Sequence, residues 1–108
     1  MIARVWHGWT TSHDADRYER LLLTQVLPDI QAMGLPGYRG AELFRRVPDE
    51  WDGEVEFMTV LRFDSLDDVR SFTGADYQVA HVPPEARALL VRFDARSQHY
   101  DHIPGDGG

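Results

Sequence analysis

Residues 54–63, EVEFMTVLRF, alternate between two kinds of side chain. Val55, Phe57, Thr59, Leu61 and Phe63 point one way, and Glu54, Glu56, Met58, Val60 and Arg62 the other. Period-two alternation is the signature of a strand with one buried face. A chain holding such a strand needs a layer to lay against the Val55–Phe63 row. Residues 2–9, IARVWHGW, are β-branched and aromatic, precede a polar turn over Thr10–Asp14, and read as another strand. Further strands are predicted over about 38–47 and 89–99. The Pro48–Gly53 turn joins two of the four strands as a hairpin.

Helical signals fill the intervals. Tyr18, Leu22, Val26, Ile30 and Met33 recur at three- and four-residue spacing, which predicts a helix over about 13–33, with Ser12 as its N-cap. Pro28 marks a kink or a break in it. Gly34 and Pro36-Gly37 stop it. Ser65, with Asp68 three residues on, resembles a capping box and opens a helix over about 66–73, ended by Gly74. A turn is expected over Asp76–Ala80 and a short helix near Glu85–Ala88. The resulting order is β-α-β-β-α-β, the ferredoxin-like α+β pattern of one antiparallel sheet with both helices on one face. Residues 1–102 make a single domain. Residues 103–108, rich in Pro, Gly and Asp, read as a disordered tail.

If the helices cover the Val55–Phe63 row, Ala3, Val5, His7 and Trp9 are assigned to the same side, with Leu89, Val91 and Phe93. Ile2, Arg4, Trp6, Met58, Val60 and Leu90 fall on the other side, mixed with Arg62, Arg92 and Asp94. That is a large apolar area for open solvent. A second copy laid sheet to sheet would cover it, so a homodimer is expected.

Composition narrows the chemistry. Among 108 residues, 18 acids outweigh 11 bases, for a net charge of −7. No general nucleic-acid binding follows from that balance. No apolar run is long enough to span a membrane, and no secretory signal is read at the N-terminus, so a cytoplasmic protein is expected. There is no Cys, which excludes disulfides, thiolate nucleophiles and thiolate metal sites. All 11 bases are Arg, so Schiff-base lysine chemistry is excluded. No G-x-S-x-G, H-E-x-x-H or G-x-G-x-x-G motif occurs. The five His do not cluster with carboxylates, so no metal site is expected; His99 and His102 fall on opposite faces of a strand, and His13 lies in a helix's first turn. His7, an ionisable group among apolar neighbours, is the candidate catalytic base. His81 is a candidate ligand contact at the mouth of a pocket. Trp9, Phe57, Phe63, Phe72 and Tyr77 are candidates to line a flat aromatic pocket, and Arg62 and Arg92 to hold an anion.

The opening IARVWHGWT, the stretch PGYRGAELFRR and the stretch EFMTVLRFDSLDDVRSF together resemble the antibiotic biosynthesis monooxygenase-like family. The resemblance spans about residues 2–100. It implies a dimeric α+β barrel with a pocket between sheet and helices, the face assigned to His7, Trp9, Phe57 and Thr59. It also implies a small aromatic ligand as partner, and cofactor-independent oxygenation of an electron-rich aromatic, a quinol or polycyclic phenol, with His7 as base. The site set is then His7, with Trp9, Phe57, Thr59, Phe72, Tyr77 and His81 around the substrate. In the family's haem-degrading branch, an Asn stands where this chain has His7 and a Trp where it has Phe72; only His81 agrees in type. The quinol-oxidising branch uses Asn, Trp, Tyr and Arg, and this chain has no Asn. A non-catalytic barrel binding a small ligand or haem, and a haem-degrading enzyme using His81, are the alternatives.

Overall fold

A computed structural model of the chain describes residues 1–48 and 53–106. Strand β1 (Ile2–Thr11) is followed by helix α1 (Ala15–Leu21), a π-helical segment (Leu22–Val26) and helix α2 (Leu27–Ala32). Strands β2 (Tyr38–Arg45) and β3 (Glu54–Phe63), helices α3 (Leu66–Thr73) and α4 (Pro84–Arg87), and strands β4 (Leu90–Phe93) and β5 (Gln98–Asp101) complete the order. The strands form one five-stranded sheet in the order β2-β3-β1-β4, with β5 also on β1. Every pairing is antiparallel. Among the described residues no helix is long and apolar enough to cross a membrane.

Pro28 explains the unusual first helix. In an α-helix its ring would press on the Thr24 carbonyl, and it has no N–H to offer that carbonyl. The backbone widens instead: the Leu27 N–H reaches back five residues to the Leu22 carbonyl. The helix passes through Pro28 and runs on to Ala32 without a break. The second long helix begins where the sequence indicates. Ser65 is extended, and its hydroxyl accepts the Asp68 N–H at 3.2 Å.

The single strand expected over 89–99 is two strands. The β1–β4 ladder shifts register between Trp9 and Thr10. Asp94 then leaves the ladder: its N–H donates to the His7 carbonyl at 2.9 Å, and its carboxylate accepts the His7 N–H at 3.0 Å. A side chain has taken the place of a ladder carbonyl, and the chain rejoins β1 only at Gln98, opposite Val5.

The core lies between the helices and the Phe57–Phe63 face of β3. Tyr18, Phe57, Phe63 and Val69 are almost wholly buried there, and the Tyr18 and Phe57 rings meet at 4.9 Å. The β1–β3 register settles which face of β1 joins them. Gly8 is opposite Phe57, Trp6 opposite Thr59, Arg4 opposite Leu61 and Ile2 opposite Phe63. Opposed residues share a face. The inner face of β1 is therefore Ile2, Arg4, Trp6, Gly8 and Thr10. His7 and Trp9, with Ala3 and Val5, lie on the open face, the reverse of the assignment made from apolar content. That assignment failed because both faces of β1 carry comparable apolar surface. The alternation fixes which residues go together, not which set goes inside.

Residues 103–106 are exposed and without helix or strand. Residues 107–108, the end of the expected disordered tail, and residues 49–52 of the expected turn lie outside the described residues.

Two positions test this layer of the account. Gly37 has φ +69°, and a Cβ there would sit 2.1 Å from an Asp68 carboxylate oxygen. Gly37→Ala is expected to destabilise through both strain and overpacking, by about 1–3 kcal/mol. Ser65→Ala removes the cap of α3 and is expected to cost about 1 kcal/mol, with Ser65→Asp recovering most of it. Urea denaturation of the three variants measures each effect.

Candidate functional site

The inner face of the sheet is not closed everywhere. Between the π-helical segment, α2 and the central strands lies a cavity of about 40 Å³. Leu22, Val26 and Ile30 line it from the helix side, Arg4, Trp6, Thr59 and Leu61 from the sheet, and Phe72, His81 and Pro83 from α3 and the following loop. The site lies under the segment that Pro28 forces wide, and π-helical insertions recur at functional sites.

Gly8 makes room for one wall. The Trp6 indole lies along the strand beside it, and a Cβ at Gly8 would be 2.9 Å from both Trp6 and Leu90. The Trp6 N–H donates to the Asp94 carbonyl at 2.8 Å, which fixes the ring.

Arg4 is the unexpected member. It is 3% exposed, on the inner face of the central strand. Its guanidinium donates to the carbonyls of Tyr77 and Val79, the latter at 2.6 Å, and to His99 Nε2 at 3.0 Å. It also lies 5.6 Å from the centre of the Phe72 ring. Among the described residues no carboxylate comes within 4.0 Å of it. Burial lowers its pKa to about 10, so it remains a cation at neutral pH.

That charge sets the state of its neighbours. His99 must accept from Arg4 through Nε2, so its proton is on Nδ1. Burial, and then the Arg4 charge, push its pKa down to about 4. His81 is lowered by the same causes in the same order. Its ring packs on Phe72 at 5.0 Å and, among the described residues, forms no hydrogen bond within the protein. His81 is exposed, so it stands at the solvent-open rim of the cavity, which Arg4 also lines. Thr59 is 8% exposed, and among the described residues its hydroxyl has no hydrogen-bond partner.

The expected site residues divide. Thr59, Phe72 and His81 line the cavity. Tyr77 contributes its carbonyl to Arg4 and its ring to an edge contact with His99 at 5.0 Å. Phe57 and Phe63 are core, packed on Tyr18 and Tyr38. His7 and Trp9 are not in this cavity. On the open face, His7 Nδ1 is 2.7 Å from Asp94 Oδ2, and its side chain is 27% exposed. Trp9 stacks beside it at 6.2 Å and carries Arg92 at 4.1 Å. Arg62 and Arg92 have carboxylate partners, Glu42 and Glu54. Arg4, which lines the cavity and has no carboxylate partner among the described residues, is the cation that the reversed strand phase had placed on the open face.

Among the described residues no three His, Asp or Glu side chains converge as metal ligands. For a haem, the lining offers one imidazole, His81, whose ring packs on Phe72.

The depressed His99 pKa predicts a pH dependence. Its folded pKa lies below the unfolded value near 6.5, so its contribution is fully present above pH 6.5 and is lost as pH falls toward 4. The melting temperature should decline through that window, and His99→Phe should flatten the decline. An unchanged slope in the variant would contradict the assignment.

No protein-family model matches the chain, and no curated protein matches it in sequence.

Proposed function

We propose that the cavity is the active site of a cofactor-independent monooxygenase acting on an electron-rich aromatic, a quinol or polycyclic phenol. The observation that carries this reading is the His81 imidazole at the exposed rim of an apolar, aromatic-walled cavity that the Arg4 cation also lines. His81, rather than His7, is then the base. It removes a proton from the substrate, and Arg4 stabilises the anion that forms. The anion passes one electron to O₂, and recombination of the radical pair gives a hydroperoxide. Loss of water converts a ring CH₂ tautomer to C=O. One oxygen atom stays in the product, the other leaves as water with the two hydrogens, and the substrate supplies all four electrons.

A cavity of roughly 150 Å³ is needed to hold benzene. Admission of a ring therefore requires the loop bearing His81, Val82 and Pro83 to move outward from the sheet. His81 and Val82 lie outside helix and strand, and the segment is tied to α4 where the Pro83 carbonyl accepts the Arg87 N–H at 2.9 Å.

The strand order is compatible with the ferredoxin-like arrangement, and the assembly in this reading is a two-fold dimer of open sheet faces. Val5, Met58 and Val60 lie at the centre of that face, with Phe44 and Tyr100, 45% and 55% exposed, toward its margins. Charged pairs such as Arg62–Glu42 and Arg92–Glu54 flank it. Light scattering is expected to return twice the 12.4 kDa chain mass. A purely monomeric species at micromolar concentration would remove the dimer.

The activity is tested by oxygen uptake with a panel of hydroquinones and an anthrone, without added flavin or metal. His81→Phe is expected to lower kcat at least 100-fold, the lower range for loss of a general base. His7→Phe is expected to leave turnover within a few-fold. Uptake that depends on His7 and not on His81 would transfer the site to the open face. No uptake with any member, with ligand binding intact, would favour a non-catalytic binding protein.

A further inference from the structure

Among the described residues Arg4 has no counter-ion, and that gap points to the ligand. Burying a guanidinium costs several kcal/mol even after relaxation, and proteins normally offset this with a carboxylate. Here the compensation is partial. Three of its five N–H donors have acceptors, two of them backbone carbonyls and the third a neutral imidazole. Among the described residues the Nε–H and one terminal N–H have no acceptor. In the same cavity the Thr59 hydroxyl, more than nine-tenths buried, also has no partner. Arg4 stands opposite Leu61 and Trp6 opposite Thr59, so Arg4 and Thr59 are diagonal neighbours on one sheet face. A buried hydroxyl without a partner, as at Thr59, is rare in native proteins and needs an explanation.

We propose that the cavity binds its aromatic ligand through an ionised acidic group, a carboxylate or phenolate, held by the free N–H donors of Arg4 and the hydroxyl of Thr59. The inference rests on the cavity being the ligand site, and it names the substrate class. The apolar walls formed by Leu22, Val26 and Phe72 take the ring. The oxyanion lies against the sheet, where it completes the charge balance of Arg4. Backbone carbonyls fix the guanidinium before the ligand arrives, so little ordering is required on binding. The chain as a whole carries −7, so its general field repels anions, and this local cation is what selects them.

The test is a pair of ring-matched probes measured by titration calorimetry at pH 7.5 on the full chain: 2-naphthoate, ionised, and 2-naphthamide, neutral. The wild type is expected to bind 2-naphthoate at least tenfold more tightly. Thr59→Val, close in shape, should weaken 2-naphthoate several-fold and leave 2-naphthamide unchanged. Arg4→Met should abolish the preference. If loss of the Tyr77 and Val79 contacts unfolds Arg4→Met, Arg4→Lys keeps the charge without the fork and should reduce the preference by more than half. Equal affinity for the two probes, a preference for the amide, or a preference that survives both Thr59→Val and the Arg4 substitution would overturn the proposal, as would the absence of binding by either probe. Neither probe is oxidised in the proposed reaction. A failed oxygen-uptake assay with the anion preference intact therefore removes the oxygenase and leaves the anion site standing.

Discussion

The position of Arg4 ties the sheet to the loop that closes it. The residue lies on the strand that pairs with β3, β4 and β5. From there it reaches the Tyr77 and Val79 carbonyls, which belong to a loop with little regular structure. The same loop is held from outside by Arg96, bidentate to Asp76 at 2.7 and 3.1 Å. Hydrogen bonds to a charged donor contribute roughly 1.5–3 kcal/mol each, comparable to the several kcal/mol that desolvating the cation costs. Arg4 is thus affordable as a structural clamp, yet it leaves the site with donors unspent and a charge unpaired.

The helix layer divides into a closed part and an open part. Around Phe63, the rings of Tyr38 and Phe72 pack at 5.5 and 6.2 Å, and Val69 is fully buried. Leu22 and Val26 of the widened turn belong to the same buried core, and the cavity lies against them. One proline therefore connects local backbone chemistry to the presence of a site. It denies the backbone an α-helical hydrogen bond, and the wider turn leaves space over Arg4 and Thr59.

Much of the fold was legible because it depends on short-range chemistry. The bounds of β3 follow from the alternation around Phe57, those of α3 from Ser65 and Gly74, and the start of β2 from the Gly37 turn. The split between β4 and β5 was not legible, because it depends on the Asp94 carboxylate meeting the His7 backbone, 87 residues away in sequence. The candidate site was partly legible. Thr59, Phe72 and His81 came from the strand pattern and the family resemblance, and the structure brings all three to one cavity. Arg4 was lost because a charged residue counts as an outward signal in any hydrophobic pattern. Its partners are carbonyls and an imidazole, which leave no charge pattern in the sequence. His7 was misplaced by the same inversion, and its dyad with Asp94 occupies the open face instead.

The two faces of β1 thus offer two polar groupings, Arg4 with His81 and Thr59 inside, His7 with Asp94 outside. The account assigns ligand binding to the inner one. The most direct test is a crystal structure of the protein grown with 2-naphthoate. The account predicts the carboxylate within hydrogen-bond distance of the Arg4 guanidinium, with the rings between Phe72 and the π-helical turn. Rings stacked on Trp9 and a carboxylate at His7 on the open face, with the Arg4 cavity unchanged, would contradict it.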